Sequence, residues 1–338
     1  MSQLKTNSIT NISNTGDANI TLNSDGSIGP IEVTGDIQST NQNGGQLAGF
    51  RNQLINGDFR VWQRGISQTY AGSQYVADRW NCQTSASGGV NRQTAPQGLP
   101  CPFVMQFATN GQGFRQGIEL SQNSSGDGLS GPFIPGSTWT ISFYCNKDVS
   151  AIAPIIAFRS VVYDTAGEVR VDASPPDWSA VGSAISGFQR YKCTITIGAG
   201  KVPANGHDQL AVVFIPSSVN MQDDTRVTGC QFEPGPVATP FEQRPIQTEL
   251  ALCQRYYGSF SGSFLGFVYI TSGGSTAGRI AECTFPVTMR TTPTVTATKT
   301  NWNTDSTVIT VDRVKFEGTA NNAAQTTYVT DVKADAEL

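Results

Sequence analysis

The sequence predicts an all-β protein, and three observations carry this prediction. Apolar and polar residues alternate with a period of two in several short segments, such as 139–145 and 191–197, and this period is typical of strands in antiparallel sheets. Glycine is frequent, with 35 in 338 residues, and it clusters with Asn, Asp and Pro between these segments, where turns need such residues. Charged residues make up only 14% of the chain, and Ala, Glu, Lys and Leu are too scarce for a helical coiled coil.

The charge balance and the apolar pattern exclude two kinds of partner. With a net charge of −4 and a pI of about 5.1, the chain lacks the basic surface that general nucleic-acid binding requires. No stretch of 18 apolar residues occurs, and the first ten residues lack the apolar region of an export signal. We therefore expect a chain made in a cytoplasm, with no nucleic-acid partner and no membrane insertion.

The first 49 residues form a segment of their own, because they contain no aromatic side chain. Asn, Ser, Thr and Gly supply 26 of the first 50 residues, and single Ile or Val residues recur among them. Such a segment buries too little apolar area to fold alone. It is either a disordered tail or a β-rich segment that folds by pairing with copies of itself, and the recurring Ile and Val favour the second interpretation. The sequence thus predicts an extended oligomerising segment at 1–49.

The segment 50–244 has the pattern of an antiparallel sandwich. Aromatic residues become frequent from Phe50 onward, and short alternating runs follow one another between turns. The run LAVVFI at 210–215 is continuously apolar and has the length of a buried strand. Several alternating runs place cysteine on the apolar face, and the seven cysteines form no CxxC pair. We therefore expect the cysteines to be small core side chains that form neither a zinc knuckle nor a disulfide framework, and we expect no cofactor.

A short linking helix is predicted at 245–258, followed by a small β-rich domain at 259–338. Ile246, Leu250 and Cys253 have the spacing of an amphipathic helix, and Gly258 is placed to end it. Alternating Thr and Val residues are typical of antiparallel strands. The strands predicted in this domain are 264–271, 279–285, 294–298, 307–314 and 327–332.

The sequence holds no convincing catalytic set, so we expect no enzymatic activity. The single histidine, His207, lies in the turn sequence ANGHD, whereas a histidine-dependent nucleophile needs a buried partner. Acid pairs of the kind that glycosidases use occur, but 26 acids in one chain supply pairs by chance. These pairs are Asp223 with Asp224, Asp164 with Glu168, and Glu233 with Glu242. Asp25, Asp36, Asp58 and Asp223 lie in turn sequences without EF-hand spacing, and a calcium ion is left open.

Several stretches carry a family likeness in a fixed order. They read NGDFRVWQRG at 56–65, YVADRW at 75–80, QFEPGPVATPFE at 231–242 and ELALCQRYY at 249–257. This ordered set resembles tail-fibre and related virion proteins of tailed bacteriophages, whose jelly-roll module is similar to carbohydrate-binding modules. The segment FPVTMRTTPTV at 285–295 is similar to the C-terminal parts of the same proteins.

The resemblance implies adhesion without catalysis. Such fibres are usually homotrimers, with the N-terminal segment held by another virion protein and the C-terminal end facing a polysaccharide or lipopolysaccharide of the host surface. The expected location is the virion, after assembly in the host cytoplasm. The alternatives are a passive head or neck fibre, a tail adaptor or a decoration protein. A polysaccharide-degrading tailspike is a further alternative, which the lack of a long β-helix repeat and of a convincing acid pair disfavours.

The resemblance also implies structural roles for its motif residues. Phe59 and Trp62 are expected to be buried, and Arg79 is expected to pair with a carboxylate or to stack on an aromatic ring. The residues after Glu233 are expected to end the last strands and direct the chain outward. The full set of motif residues is Asn56, Gly57, Phe59, Trp62, Arg79, Trp80, Glu233, Pro240, Phe241, Glu242, Arg255 and Arg290.

Glycan contact is predicted in the C-terminal domain, because sugars bind to flat aromatic rings and to amide groups. Trp302 lies between Asn301 and Asn303 in a polar sequence that reads as a turn, and we take these three residues as candidate contacts together with Tyr256 and Tyr257. The alternative is that Trp302 is a core or trimer-interface aromatic.

Overall fold

The described part of the chain is all-β with one short helix, as the sequence predicts. The computed structural model describes residues 50–108, 112–122, 129–130, 133, 135–159, 168–172, 175–199, 209–216, 224–262, 264–265, 267–270, 277–320 and 328–337. The predicted oligomerising segment and His207 lie outside these residues. No helix among the described residues has the length and apolar character needed to cross a membrane.

Thirteen strands precede the helix among the described residues, and eleven of them form the sandwich. In chain order they are β1 Ser67–Tyr75, β2 Asn81–Thr94, β3 Phe103–Phe107, β4 Gln112–Glu119, β5 Ser121–Gln122, β6 Leu129–Ser130, β7 Thr138–Cys145, β8 Ile155–Arg159, β9 Val169–Arg170, β10 Ser179–Ile185, β11 Phe188–Thr196, β12 Gln209–Ile215 and β13 Thr225–Pro234. Eleven of them join one antiparallel sheet in the order β10-β11-β7-β13-β3-β2-β4-β12-β8-β9, with β1 beside β2, while β5 pairs with β6.

The long strand β2 makes this sheet fold on itself. Residues 81–84 of β2 pair with β4, whereas residues 90–94 pair with β3. The two halves of the sheet therefore face each other across one aromatic core. Phe143 of β7 contacts Phe214 of β12 with ring centres 5.3 Å apart, and Phe214 stacks on Phe114 of β4 at 5.1 Å.

All seven cysteines are buried and free, which confirms that they are core side chains. They follow the apolar phase of their strands. Cys145 and Cys193, for example, share a face with Ile141 and Ile195. Burial raises the pKa of the Cys145 thiol to about 12, so this thiol is protonated and behaves as a small apolar group.

The linking helix α1, Ile246–Gln254, is shorter than predicted and buries a different face. The chain turns at Arg255, and strand β14 already begins at Tyr257, so Gly258 lies in a strand and does not end the helix. Glu249 and Cys253 are its buried residues, and Ile246 is 43% exposed. The predicted apolar stripe is thus wrong at its first position, because Glu249 is turned inward by a hydrogen bond.

Eight strands after the helix form the small C-terminal domain. They are β14 Tyr257–Phe260, β15 Phe264–Leu265, β16 Phe267–Ile270, β17 Ala277–Thr284, β18 Thr294–Thr300, β19 Trp302–Ile309, β20 Arg313–Ala320 and β21 Tyr328–Asp335. One sheet has the order β14-β21-β15 with β18 also on β21, and the other has the order β16-β17-β20-β19. Their shared core includes Cys283, Phe285, Phe316 and Val332.

Candidate functional site

Asn56 forms the centre of the turn that opens the sandwich. Its φ is 58°, in the left-handed region that Asn tolerates better than most residues. The buried side chain accepts a hydrogen bond from the Val61 amide at 3.0 Å and donates to the carbonyls of Val61 (2.8 Å) and Asp78 (3.0 Å). Its own backbone amide donates to the Glu249 carboxylate of α1. The opening motif is therefore tied directly to the helix.

The motif aromatics behind this turn are buried, as predicted. Phe59 is fully buried against Trp80, with ring centres 5.1 Å apart. The Trp62 indole donates to the Phe59 carbonyl at 2.7 Å, and the Trp80 indole donates to the Asn56 carbonyl at 2.9 Å. Each indole N–H thus has a partner inside the core, which a buried tryptophan needs.

Gly57 leaves no room for a side chain. Its carbonyl accepts a hydrogen bond from the Cys230 amide at 2.9 Å, which brings the opening turn against strand β13. A Cβ atom at position 57 would lie 2.2 Å from the Cys230 carbonyl oxygen and 3.2 Å from the Phe241 ring. The opening turn therefore contacts the backbone of β13 immediately before the closing motif.

Arg79 makes both of the interactions expected of it. Its guanidinium pairs with Glu337 near the C-terminus and lies 3.5 Å from the centre of the Tyr256 ring. It also donates to the Gly117 carbonyl at 2.5 Å. Only 1% of the residue is exposed. Burial by itself would lower the pKa of Arg79, but its interactions with Glu337, Tyr256 and Tyr75 together outweigh burial and raise it.

Tyr256 and Tyr257 are buried, which makes the prediction that they contact a glycan wrong. The Tyr256 hydroxyl donates to Glu119 at 2.9 Å, beneath the Arg79 guanidinium. The Arg64 guanidinium lies 3.5 Å from the centre of the Tyr257 ring. Burial raises the pKa of both phenols. The two rings lie between the sandwich and the C-terminal domain, where arginines cover them.

Buried charged and aromatic residues connect residues 62–80 of the sandwich with both ends of the C-terminal domain. We call them the junction cluster, which consists of Arg64, Asp78, Arg79, Tyr256, Tyr257 and Glu337. Asp78 accepts hydrogen bonds from the Gln63 amide at 3.0 Å and from its side chain at 2.5 Å, and it lies 3.8 Å from Arg64. Burial outweighs these partners and raises the pKa of Asp78 to about 6.

This raised pKa predicts a pH-dependent stability. The folded pKa of about 6 lies above the ordinary 3.8, so the contribution of Asp78 is fully present below pH 3.8 and is lost as the pH rises through about 6. We expect the free energy of unfolding of the wild type, relative to Asp78→Asn, to fall by about 2–3 kcal/mol between pH 4 and 7. Urea unfolding of both proteins across this range measures the difference.

Asp224→Asn is the matched control for this experiment. Hydrogen bonds from Gln106 and Arg226 lower the pKa of Asp224, outweighing burial. Its contribution therefore changes with pH in the opposite direction, and only slightly, because Asp224 is 48% exposed. A pH-independent difference between wild type and Asp78→Asn would contradict the assignment.

The closing motif folds back on the sandwich, so the prediction that it directs the chain outward is wrong. Glu233 is fully buried, pairs with Arg51 at 2.7 Å and accepts hydrogen bonds from the Thr239 amide and hydroxyl. The Thr239 hydroxyl and the Pro240 carbonyl both accept from Arg51. A buried carboxylate needs such hydrogen-bond partners, and here they hold the segment after β13 against Arg51.

Glu242 completes this closure. Its carboxylate accepts hydrogen bonds from the backbone amides of Phe50 (2.6 Å) and Asn52 (2.7 Å) and from Arg244 at 3.1 Å. The neighbouring Phe241 is buried beside Gly57. Glu233 and Glu242, which were a candidate acid pair, are thus both engaged in binding the segment 50–52.

Arg255 and Arg290 extend the connection to the C-terminal domain. Arg255 pairs with Glu119 of β4 at 2.8 Å, and its carbonyl accepts a hydrogen bond from the Arg290 amide at 2.8 Å. The Arg290 side chain donates to the Ala336 carbonyl at 3.1 Å. The two motif arginines therefore link the sandwich, the helix end and the C-terminus.

Trp302 lies in a strand and not in the polar turn that the sequence indicates. Asn301, with φ of 62°, is the corner between β18 and β19, which belong to different sheets. Trp302 opens β19, is half-buried against the core of the C-terminal domain and donates its indole N–H to the Tyr328 carbonyl at 3.2 Å. This position agrees with the core alternative for the ring. Asn303 follows in β19, and its side chain lies outside the described atoms.

The other candidates for chemistry are held in ion pairs or lie outside the described residues. Glu168 pairs with Arg159 at 2.6 Å and with Arg170 at 2.8 Å, and Asp58 pairs with Arg60. Asp25, Asp36, Asp164, Asp223 and His207 fall outside the described ranges. Within these ranges, no group of three His, Cys, Asp or Glu side chains could hold a metal ion.

A cleft of about 630 Å³ lies beside the start of the helix. Its lining is mainly apolar and includes Leu99, Phe103 and Ile246, with Arg60 at its edge. Cys101 also lines the cleft, and burial raises the pKa of its thiol to about 12. A protonated thiol is a poor nucleophile, which disfavours Cys101 as a reactive group in this cleft.

Sequence reasoning missed a polar group on the outer face of the sandwich. Arg115, Arg159 and Gln209 are each at most 7% exposed there. In the sequence, these residues differ from others only in lying within or next to apolar strand segments, at positions that face away from the core. The chain has no significant match to a family model or to a curated protein.

Proposed function

We propose that the chain is a non-enzymatic structural protein of a tailed-phage virion, of the tail-fibre class, that assembles as a homotrimer and binds a host surface glycan. One observation carries this proposal. Motif residues from separate stretches of the sequence meet in one connected structure, in which Asn56 bonds Glu249, Gly57 lies beside the Phe241 ring and Arg255 bonds Arg290. Sequence motifs whose residues contact one another in the fold support the resemblance more strongly than the same motifs would at unrelated positions.

The composition supports an adhesive surface. Polarity comes from Asn, Ser, Thr and Gln more than from ions, since charged residues make up 14% of the chain. Amides and hydroxyls match the hydrogen-bonding groups of sugars, and salt screens them less than it screens ion pairs. Three sites in a trimer would gain avidity, so each site can be weak. The segment 1–49 would be held by another virion protein.

Labelling of bacterial cells by the fluorescent full chain tests the adhesive function. We expect labelling of strains that the parent phage infects, and we expect the protein to block phage adsorption. Absence of both effects would instead favour a passive head or neck fibre, a tail adaptor or a decoration protein. Release of oligosaccharide from capsule or lipopolysaccharide would identify a tailspike enzyme. Light scattering of the full chain tests the trimer.

Substitution of Trp302 tests its role as a glycan contact. We expect Trp302→Ala to reduce cell labelling at least about fivefold, since a stacking aromatic contributes about 1 kcal/mol or more to a sugar or ring contact. Ile309→Ala is the matched control, because Ile309 lies in the same strand and packs half-buried on the same core. Equal loss of labelling in both variants would assign Trp302 to packing alone.

A further inference from the structure

A pocket of about 310 Å³ lies where the chain segment before β1, strand β4 and helix α1 meet. Each of these three segments contributes one polar and one apolar side chain to the lining. The pairs are Gln53 with Ile55, Glu119 with Ile118, and Arg255 with Leu252. All six residues are half-buried, so a ligand can reach them from solvent, and we call this space the helix pocket.

Contacts within the protein hold the helix pocket in shape. The buried Gln116 side chain accepts a hydrogen bond from the Ile55 amide at 2.7 Å and donates to the Ile55 carbonyl at 2.8 Å. The Tyr256 hydroxyl donates to Glu119 at 2.9 Å, and the Arg79 guanidinium covers the Tyr256 ring. Gln116 and Tyr256 are therefore already bonded and are not ligand contacts. A ligand would meet a lining that needs little ordering, which favours binding.

The charges in the lining balance each other. Arg255 donates to both carboxylate oxygens of Glu119, from Nε at 3.1 Å and from Nη2 at 2.8 Å. Among the described residues that line the pocket, these two carry the only charges. Their side chains are 41% and 29% exposed, so both remain within reach of a ligand. An ion pair of this kind favours neither an anion nor a cation, and a neutral polar ligand fits it best.

Two polar atoms of the lining have no hydrogen-bond partner among the described residues. Arg255 uses Nε and Nη2 for Glu119, which leaves the Nη1 donor. Gln53 donates through its amide nitrogen to the carbonyls of Phe50 and Arg51, which leaves the Oε1 acceptor. Sugar hydroxyls both donate and accept, so they can bond the two atoms together.

The apolar part of the lining consists of branched aliphatic side chains, those of Ile55, Ile118 and Leu252. A flat aromatic ring matches the C–H face of a sugar, whereas aliphatic branches can surround one methyl group and remove it from water. A hydroxyl in the same place would lose its hydrogen bonds to water. Ligand pockets have volumes of about 300–1,000 Å³, and a pocket at the lower end of this range suits a single sugar ring.

We propose that the helix pocket binds a neutral 6-deoxyhexose, a sugar that carries a methyl group in place of the terminal hydroxymethyl group. Arg255 Nη1 and Gln53 Oε1 bond its hydroxyls, and Ile55, Ile118 and Leu252 surround its methyl group. This inference rests on the proposed glycan-binding function and names the class of sugar. The ion pair between Arg255 and Glu119 keeps the guanidinium in place for the ligand.

Saturation-transfer NMR titration of the full chain with simple sugars tests the proposal. The probes are methyl fucoside and methyl rhamnoside, each compared with the sugar of the same hand that has a 6-hydroxyl, methyl galactoside or methyl mannoside. We expect at least one 6-deoxy sugar to bind at least about fivefold more tightly than its counterpart, with the strongest transfer to its methyl group. Equal affinities within both pairs would overturn the proposal. Tighter binding of methyl galacturonide would also overturn it, because the site would then select an anion.

Leu252→Gln is the sharpest variant, because it places an amide where the methyl group is expected and leaves every polar contact of the pocket intact. We expect the preference for the 6-deoxy sugar to fall to about one, since the amide can bond a 6-hydroxyl. Leu250→Gln is the matched control, because Leu250 is half-buried in the same helix and is not among the residues that line the pocket. An unchanged preference in Leu252→Gln would overturn the proposal.

Gln53→Met tests the polar half of the pocket. The variant loses the Oε1 acceptor at similar side-chain length, so we expect the affinities for the 6-deoxy sugar and for its counterpart to fall together, by about three- to tenfold, with their ratio unchanged. Thermal unfolding of each variant verifies that it is folded. Unchanged affinity for both sugars would overturn the assignment of Gln53 as a ligand contact.

The outcomes separate this site from the adhesive function. Cell labelling without binding of either 6-deoxy sugar would overturn the helix pocket as a ligand site and leave adhesion supported. Binding of a 6-deoxy sugar that changes in Leu252→Gln, without any cell labelling, would support the pocket and overturn the adhesive function.

Discussion

Replacing Gly57 with alanine is expected to destabilise the folded chain by about 3–5 kcal/mol. The new methyl group would lie 2.2 Å from the Cys230 carbonyl oxygen, a distance that no rotamer change can relieve, because both partners are fixed by the backbone. The two segments would have to separate, which breaks the hydrogen bond from Cys230 to Gly57. Overpacking of a well-packed interior by side chains typically costs about 1–3 kcal/mol, and a backbone collision lies above that range. Urea unfolding followed by tryptophan fluorescence measures the loss.

Gly89→Ala provides the comparison for Gly57. A Cβ atom at position 89 would lie 3.3 Å from the Ala108 methyl group, which can move by a few tenths of an ångström. We expect an effect of at most about 1 kcal/mol at this site. If both alanine variants had similar stability, the contact between the opening turn and β13 would be looser than described, and the motif would lose its structural explanation.

The sandwich was predictable from the sequence because its strands follow one rule. Alternation at 139–145 and 191–197 becomes β7 and β11, which pair along their whole lengths. The cysteines were predictable for the same reason, since Cys145 and Cys193 occupy apolar positions of the alternation. Local periodicity is therefore sufficient to predict these strands, even though both faces of β7 are buried.

Long-range polar contacts explain what the sequence could not predict. Nothing near Tyr256 or Tyr257 indicates that Arg79 and Arg64, about 180 residues earlier in the numbering, cover their rings. Polar segments that contain Gly and Pro predict that the chain leaves the surface of the domain. Glu233 instead holds the closing segment against the sandwich, because it pairs with Arg51. The sequence around a charged residue does not show whether that residue will be buried in contact with a distant partner.

The buried polar group on the outer face of the sandwich could not be predicted for a related reason. The continuous apolar run 210–215 predicts a strand buried on both faces, and β12 is buried on both faces. The run does not reveal that the second face has arginines as neighbours, because register with β4 and β8 brings Arg115 and Arg159 there. Only the pairing of strands distant in sequence defines this face.

Replacing Arg79 with methionine is expected to cost about 3 kcal/mol or more and to release the C-terminal domain from the sandwich. Arg79 alone connects Glu337, the Gly117 carbonyl and the Tyr256 ring. Removing one partner of a buried ion pair costs about 3–5 kcal/mol, and Arg64 at 3.4 Å from Glu337 retains part of the interaction, which places the estimate at the lower end. Methionine keeps the Cβ atom and an unbranched stem, so backbone strain at this φ of 71° is unchanged.

Two measurements distinguish loss of this junction from general destabilisation. Limited proteolysis should cleave Arg79→Met between the helix and β14 while the sandwich remains protected, since a domain that has lost its contacts exposes its linker. A double-mutant cycle with Glu337→Gln should give a coupling energy of about 1–3 kcal/mol. Arg313→Met, which breaks an exposed pair with Glu282, should change stability by less than about 0.5 kcal/mol.

Additive effects of Arg79→Met and Glu337→Gln would contradict the junction cluster as a coupled unit. So would uniform proteolysis of both domains, because the contacts of Arg79 would then support the sandwich core alone. A fibre protein must transmit force between its fixed and free ends, and a buried pair of opposite charges resists separation more strongly than the exposed pairs between Arg313 and Glu282 or between Arg226 and Asp224. Coupling at Arg79 and Glu337 therefore tests whether the motif residues join the two domains mechanically, and this is the role that the proposed function requires of them.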